Sequence, residues 1–402
     1  MKKDSYIYIA IFVLLISSFP LALGWLPGGA FVPRALLVAY SLVAYPFVLK
    51  SRPFLLLCLY YLYLIGAFFM AGKTVVFVGL AANFMEMGIP IIVATILIKQ
   101  NVQRNYERMG SFILIMTVIT MCTSLYVLTF IDPNAIRAMV GMMANGDSIT
   151  PYLRMGVADY STAAMVMAMP CIMIGILKNT NNHRTKVWSL IVIAISLYFM
   201  YKASVTTTFL ICLFITFGAV FVNKNKSVRS NIRTIFPFLF LSLIILVPVA
   251  IELFSRFLTN DDITGRTSMI GEMWSGGSYD DTEDLGVRIG LYQMSLSAFF
   301  NHPIFGNASS MIGGHNYILD RLGQLGIVGT IIHFSFVVAQ CKISYKIIPN
   351  RYKEYYLLML LGVFVLALLK NLSGFDYWTF MFLYYPCLLV WGNKRTWQPR
   401  QQ

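Results

Sequence analysis

The sequence predicts an all-α, polytopic integral membrane protein with about twelve transmembrane helices, and three observations predict it. Hydrophobic residues fill 58% of the 402 positions and charged ones only 12%, where a soluble domain carries roughly 25% charged residues. Apolar runs of spanning length recur along the whole chain, whose mean hydropathy is +0.71. Lysine and arginine gather in every second connection between those runs, as they do in a chain threaded through a membrane.

A helix needs roughly 20 apolar residues to cross the hydrocarbon core. Such runs lie at about 6–23, 31–49, 53–71, 74–98, 111–131, 159–178, 187–201, 205–222, 235–253, 316–341, 355–371 and 376–392. Two of them, 187–201 and 376–392, are short and read as tilted or partly re-entrant pieces. No small-residue cleavage site follows the first run, so it reads as a retained span rather than a signal peptide. With Lys2 and Lys3 placed inside, the inner connections are 50–52, 99–110, 179–186, 223–234, 342–354 and the tail, and both termini are cytoplasmic. The basic residues outside that set are Arg34, Lys73, Arg137, Arg154, Lys202, Arg256, Arg266, Arg288, Arg321 and Lys370, which leaves 21 of 31 on the inner side. The net charge of +14 is thus topogenic, and a nucleic-acid partner is not expected. Six cysteines fall inside apolar runs without CxxC spacing and read as packing thiols.

The chain reads as a single membrane domain over 1–402, with long outer connections at 132–158 and 254–315. The second, between spans nine and ten, is polar, Gly-rich and acidic. A loop that long is usually functional or disordered. No tandem repeat of solenoid length appears, and the two halves show no evident similarity. Basic residues kept on the outer side need a reason, and an anionic ligand supplies one.

Residues 287–300 have helical spacing, with Val287, Leu291, Met294 and Ala298 on one face and Arg288, Tyr292 and Ser295 on the next. Pro303 stops the helix. Arg288 reads either as a solvated arginine on an interfacial helix or as a guanidinium whose planar fork meets a phosphate. His315 follows Gly313 and Gly314 and begins span ten, with Asn316 as a cap. The helix dipole disfavours imidazolium there, so His315 suits a general base. His302 and His333 read as markers of the membrane interface. Arg154, ahead of Asp159-Tyr160-Ser161, reads equally as a second phosphate contact or as a snorkelling side chain. Lys202 is a weaker cationic candidate. Arg34 and Glu86 are costly in apolar runs unless paired. Gly323, Gly326 and Gly329 read as sites of close helix packing. No Walker loop, HExxH, GxSxG or DxD metal motif stands out, and Asp261-Asp262 and Asp280-Asp281 read as solvated acids.

The order Arg288…Tyr292…Asn301-His302-Pro303-Ile304-Phe305-Gly306…Gly314-His315-Asn316-Tyr317…Asp320…Leu325-Gly326-Ile327-Val328-Gly329 resembles the signature of the bacterial O-antigen polymerase and O-antigen ligase superfamily. Arg154-x-Gly156 resembles its second arginine element. Where that family often has Ser-Arg-Gly after the seventh span, this chain has Lys202-Ala203-Ser204. The resemblance implies a GT-C-like, all-helical membrane glycosyltransferase of a bacterial inner membrane, working on the periplasmic face without cofactor or metal. Its donor would be an oligosaccharide on undecaprenyl pyrophosphate, in contact with membrane lipid, and a chain-length regulator is an expected type of partner. Arg288 and Arg154 would hold the pyrophosphate, with Tyr292, Asn316 and Lys202 lining the substrate site, and His315 would take the acceptor proton. Within the superfamily the reading is a polymerase of lipopolysaccharide or other surface polysaccharide, extending a lipid-linked repeat unit. The alternatives are the ligase acting on lipid A–core and, from another class, a lipid-linked oligosaccharide flippase.

Overall fold

The structure, a computed structural model, describes residues 5–26, 30–72, 77–145, 147–203, 205–223, 230, 284–308, 314, 316–372 and 374–392. Every regular element among them is helical. The α-helices are α1 (Ser5–Ser18), α2 (Pro20–Trp25), α3 (Phe31–Ala44), α4 (Arg52–Met70), α5 (Phe77–Gln100), α6 (Gln103–Phe130), α7 (Ala135–Asn145), α8 (Thr150–Arg154), α9 (Tyr160–Val166), α10 (Met169–Asn179), α11 (His183–Lys202) and α12 (Thr206–Phe221). After the stretch outside the described residues come α13 (Asp284–Asn301), α14 (Tyr317–Ile347), α15 (Lys353–Leu369), α16 (Phe375–Thr379) and α17 (Tyr385–Trp391).

Seven segments are long and apolar enough to cross a membrane: α4, α5, α6, α9 with α10, α11, α14, and Asn350–Leu369 ending in α15. Helices α1, α3 and α12 are apolar but shorter. These ten, with α16 and α17, coincide with eleven of the twelve apolar runs, and the run at 235–253 lies outside the described residues. The short run at 187–201 is a full 20-residue helix, because polar residues from His183 onward extend it. The run at 376–392 is interrupted by a π-helical turn, Phe380–Tyr384. Pro386 has no N–H to give the Phe382 carbonyl, and Ser344 Oγ of α14 donates to that carbonyl instead, at 3.1 Å. Pro170 lies in the first turn of α10, just after the end of α9.

The faces left uncovered are apolar, the reverse of a soluble protein. Leu55, Leu59 and Leu62 on α4, Ile331 and Val338 on α14, and Phe364 and Leu368 on α15 are all exposed. Helix α10 is apolar all round and buried from Met169 to Ile176, so it is the central span. Between helices in lipid, close packing replaces the hydrophobic effect, and small residues permit it. The Tyr355 ring lies against Gly175, Trp391 against Gly110 and Tyr63 against Gly329, each where a Cβ would leave no room.

Candidate functional site at a broken helix

The geometry of the site begins with a break in α14. Gly326 has φ 61° and ψ −170°, a conformation foreign to a helix. The break forfeits the two helical bonds from Ile327 to Gly323 and from Val328 to Gln324. The turn after α13 supplies all four missing partners. Ile327 N donates to Pro303 O at 2.8 Å and Val328 N to Ile304 O at 3.2 Å, while Asn307 N donates to Gly323 O at 3.2 Å and Ala308 N to Gln324 O at 3.1 Å. Non-helical backbone inside a membrane bundle is tolerated where other protein groups satisfy it in this way. Gly306, at φ 74°, gives the turn its approach to Gln324 and Gly326. Tyr63 pins the junction from α4, its hydroxyl lying 2.9 Å from Phe305 O and 2.7 Å from Leu325 O. The sequence reading of Gly326 as a packing glycine therefore changes: Gly329 packs, and Gly326 breaks.

At one end of the bundle, the last carbonyls of α15 form a hub. Such carbonyls have no partner within their own helix. Asn316 Nδ2 donates to Leu368 O at 2.6 Å, Tyr292 hydroxyl to Leu369 O at 3.5 Å, and Tyr317 N to Lys370 O at 3.2 Å. Asn316 also caps α14, accepting from Leu319 N at 3.0 Å, as its position after the glycines predicts. Gly314 just before it takes φ 84°, which its missing Cβ allows. Two sequence-predicted residues, Tyr292 and Asn316, thus meet on one helix end. The face of α13 that turns inward centres on Ser295, which is buried and donates to Asp320 Oδ1 at 2.6 Å, while Met294 is exposed.

The same hub meets the start of α9. Asp159 caps that helix, accepting from Thr162 N at 2.8 Å and from Ser161 Oγ at 2.7 Å. Thr162 Oγ1 donates at 2.8 Å to Asp376 Oδ2, a buried carboxylate just past the hub. Lys370 is buried and its ammonium meets the hydroxyl and the ring face of Tyr160. Its pKa is lowered to about 7, first by burial and then by the charge of Arg137 on α7. Lys370, Tyr160 and Asp376 did not stand out in the sequence as site residues. The available signal was that Lys370 is one of the few basic residues on the outer side, directly at a span end.

Arg154, last residue of α8, donates from Nε to Gly24 O at 3.1 Å and lies over the Trp25 ring at 5.6 Å. It fastens α8 to α2, and its terminal nitrogens make no hydrogen bond among the described residues. Lys202 ends α11, and no described contact joins it to the hub. Arg288 is carried on α13, and its side chain, like His315 and the four acids Asp261, Asp262, Asp280 and Asp281, lies outside the described residues. His333 corrects its reading as an interface marker. It is fully buried, its Nε2 lies 2.6 Å from the Tyr317 hydroxyl, and the Tyr60 ring packs 4.8 Å away. His302 is exposed. From the hub an apolar groove of about 1090 Å³ runs between α14 and α15, from Tyr317 and Leu372 to Lys342 and Tyr345 at the opposite end.

The fold and site define a helical protein of membrane-spanning character with a broken helix and a polar hub at one end of an apolar groove. No protein-family model matches the sequence, and no curated protein matches it either.

Proposed function

We propose that the chain is a surface-polysaccharide polymerase, a membrane glycosyltransferase that moves a glycan from an undecaprenyl-pyrophosphate carrier to the terminal sugar of a lipid-linked repeat unit. One observation carries the proposal: the polar hub that gathers Tyr292 and Asn316 opens onto an apolar groove with the length of a span. A ligand with a charged head and a long hydrocarbon tail suits that arrangement, and such a donor is what the motif order implies. The distribution of lysine and arginine supports putting the hub on the extracytoplasmic face, with both termini inside.

In this reading Arg288 and Arg154 hold the diphosphate and stabilise its charge as it leaves. The bond from the anomeric carbon to the phosphate oxygen breaks, and a new one forms to the acceptor hydroxyl oxygen. The hydroxyl proton passes to His315, which is the general base. Asn316, next to His315 in the chain, ties this part of the sequence to the hub through the Leu368 carbonyl. No metal takes part. A chain-length regulator would act on the same lipid-linked product.

The proposal is tested in the host cell. A strain lacking the gene, complemented with the wild-type chain, should regain a ladder of polysaccharide lengths, while His315→Ala and Arg288→Ala at equal membrane abundance should stop at single repeat units. Normal ladders from both variants overturn the assignment. Full-length polysaccharide accumulating on its lipid carrier in the deletion strain would assign the ligase step instead.

A further inference from the structure

The apolar groove between α14 and α15 has a second end that the proposed chemistry does not use. Helix α14 is 31 residues long, about 45 Å at 1.5 Å per residue, whereas a hydrocarbon core is about 30 Å thick. A groove that follows it from Tyr317 to Tyr345 therefore passes through both leaflets. A tail that enters at the hub belongs to one leaflet, and the far half of the groove is open to the other. There the walls are Val338, Cys341, Lys342 and Tyr345 of α14 and Leu357 and Leu360 of α15. The four α14 positions recur at helical spacing and share one face. Buried Met381, on the π-helical turn, also lines the groove, while Val338 and Phe364 are exposed, so the groove opens sideways to lipid.

In a bilayer such a groove meets hydrocarbon chains, and the charge at its end selects among the lipids that carry them. Lys342 is the one charged residue that lines it among the described residues, and no hydrogen bond or ion pair holds it there. Lys346 follows one turn later and is exposed, and the Lys353 ammonium lies 4.7 Å from the centre of the Tyr345 ring. Glu354, the acid at this end of α15, is buried instead. A zwitterionic head group would bring a cation of its own to these lysines, whereas an anionic one brings only the complementary charge. The Tyr345 hydroxyl adds a donor suited to a phosphate or ester oxygen. In the orientation proposed above this end is cytoplasmic, and basic pockets between spans on that side take anionic head groups.

We propose that this half of the groove binds one anionic glycerophospholipid of the cytoplasmic leaflet, with its phosphate on Lys342 and an acyl chain between α14 and α15. The site stands whether or not the chain transfers glycans. It differs from the ordinary placement of lysines at inner span ends, where the side chain only reaches for water. Lys99, in the last turn of α5, is a lysine of that ordinary kind and does not line this groove.

The test titrates the purified full chain in detergent with dioleoyl phosphatidylglycerol, with dioleoyl phosphatidylcholine and with glycerol 3-phosphate, and counts bound lipid by native mass spectrometry. Wild-type protein should hold its first phosphatidylglycerol about 5-fold or more tightly than phosphatidylcholine. Lys342→Met should bind phosphatidylglycerol about 5-fold or more weakly than wild type, and Lys342→Arg within about 3-fold of it. Val338→Trp fills the groove without touching the charge and should lose the same lipid, while Lys99→Met should bind as wild type does. Lys342 and Val338 are exposed, so both variants should melt with wild type, which separates lost binding from lost folding. Equal binding of phosphatidylglycerol by wild type and Lys342→Met, an equal loss in Lys99→Met, or full binding by Val338→Trp overturns the proposal. So does phosphatidylcholine bound as tightly as phosphatidylglycerol, or displacement by glycerol 3-phosphate at comparable concentration, which would make the ligand a soluble phosphate.

Discussion

Replacing Gly326 by alanine probes the feature on which the site is built. At φ 61° and ψ −170° an alanine pays a conformational cost of about 1–3 kcal/mol. Its Cβ would also lie closer than 3.0 Å to Ile304 O, Ile304 C and Gly306 N, all backbone atoms. The turn must retreat, and its four hydrogen bonds to Gly323, Gln324, Ile327 and Val328 go with it. Each is worth about 0.5–1.5 kcal/mol, so strain and lost bonds together come to about 3–9 kcal/mol, a large share of an ordinary domain's stability. Gly141 in α7 is the control: a Cβ there meets nothing within 4 Å, and alanine should be neutral or stabilise by about 0.5–1 kcal/mol. Thermal unfolding of detergent-purified protein, followed by loss of the monodisperse species, reads both. Gly326→Ala should melt at least about 5 °C below wild type and Gly141→Ala no lower than wild type. A Gly326→Ala protein that melts with wild type would show that the turn does not hold the broken helix.

The remaining predictions concern the junction, Lys370 and the orientation. Tyr63→Phe removes the hydroxyl that meets Phe305 O and Leu325 O, and should cost about 1–3 kcal/mol in the same unfolding assay; an unchanged melting temperature would refute the pin. For Lys370 the folded pKa of about 7 lies below the ordinary 10.5, so between those values the unfolded chain binds more protons and stability rises with pH. The cost of the buried charge, which Arg137 increases, is present in full below about pH 7. Lys370→Met, which removes that charge, should therefore gain most over wild type in melting temperature near pH 6 and less toward about pH 9, and a gain that grows with pH would contradict the lowered pKa. For orientation, cysteines placed at Asn145 and Ser275 in a Cys-free chain should react with an impermeant maleimide in cells with a permeabilised outer membrane. A cysteine at Asn225 should stay protected, and the reverse pattern would invert the topology.

How much of this was legible in the sequence depends on how local each cause is. Helices follow from apolar runs, and the Asn316 cap from the Gly-Gly-His-Asn order, because both are decided within a few residues. The break at Gly326 was not legible, because the groups that satisfy it lie about twenty residues upstream and on α4. A glycine every third residue looks the same whether it packs, as Gly329 does on Tyr63, or breaks the helix. The inward face of α13 was not legible for a related reason. Hydrophobic periodicity favours Met294, but Asp320 on α14 gives buried Ser295 a partner that one helix's pattern cannot reveal. His333 likewise owes its place to Tyr317, four turns and a helix break away. Lys370, Tyr160 and Asp376 each look isolated in the chain and become a group only when the loop after α15 packs on the start of α9.

The most direct test of the central claim is transfer by the purified chain itself. Wild-type protein in liposomes, given an undecaprenyl-pyrophosphate-linked repeat unit from its own host, should form products of two or more units and release one undecaprenyl pyrophosphate per linkage, with EDTA present. His315→Ala should form them about 100- to 10,000-fold more slowly while still binding the donor. Donor binding by wild type with no linkage formed, or linkage formed by His315→Ala at the wild-type rate, would contradict the account.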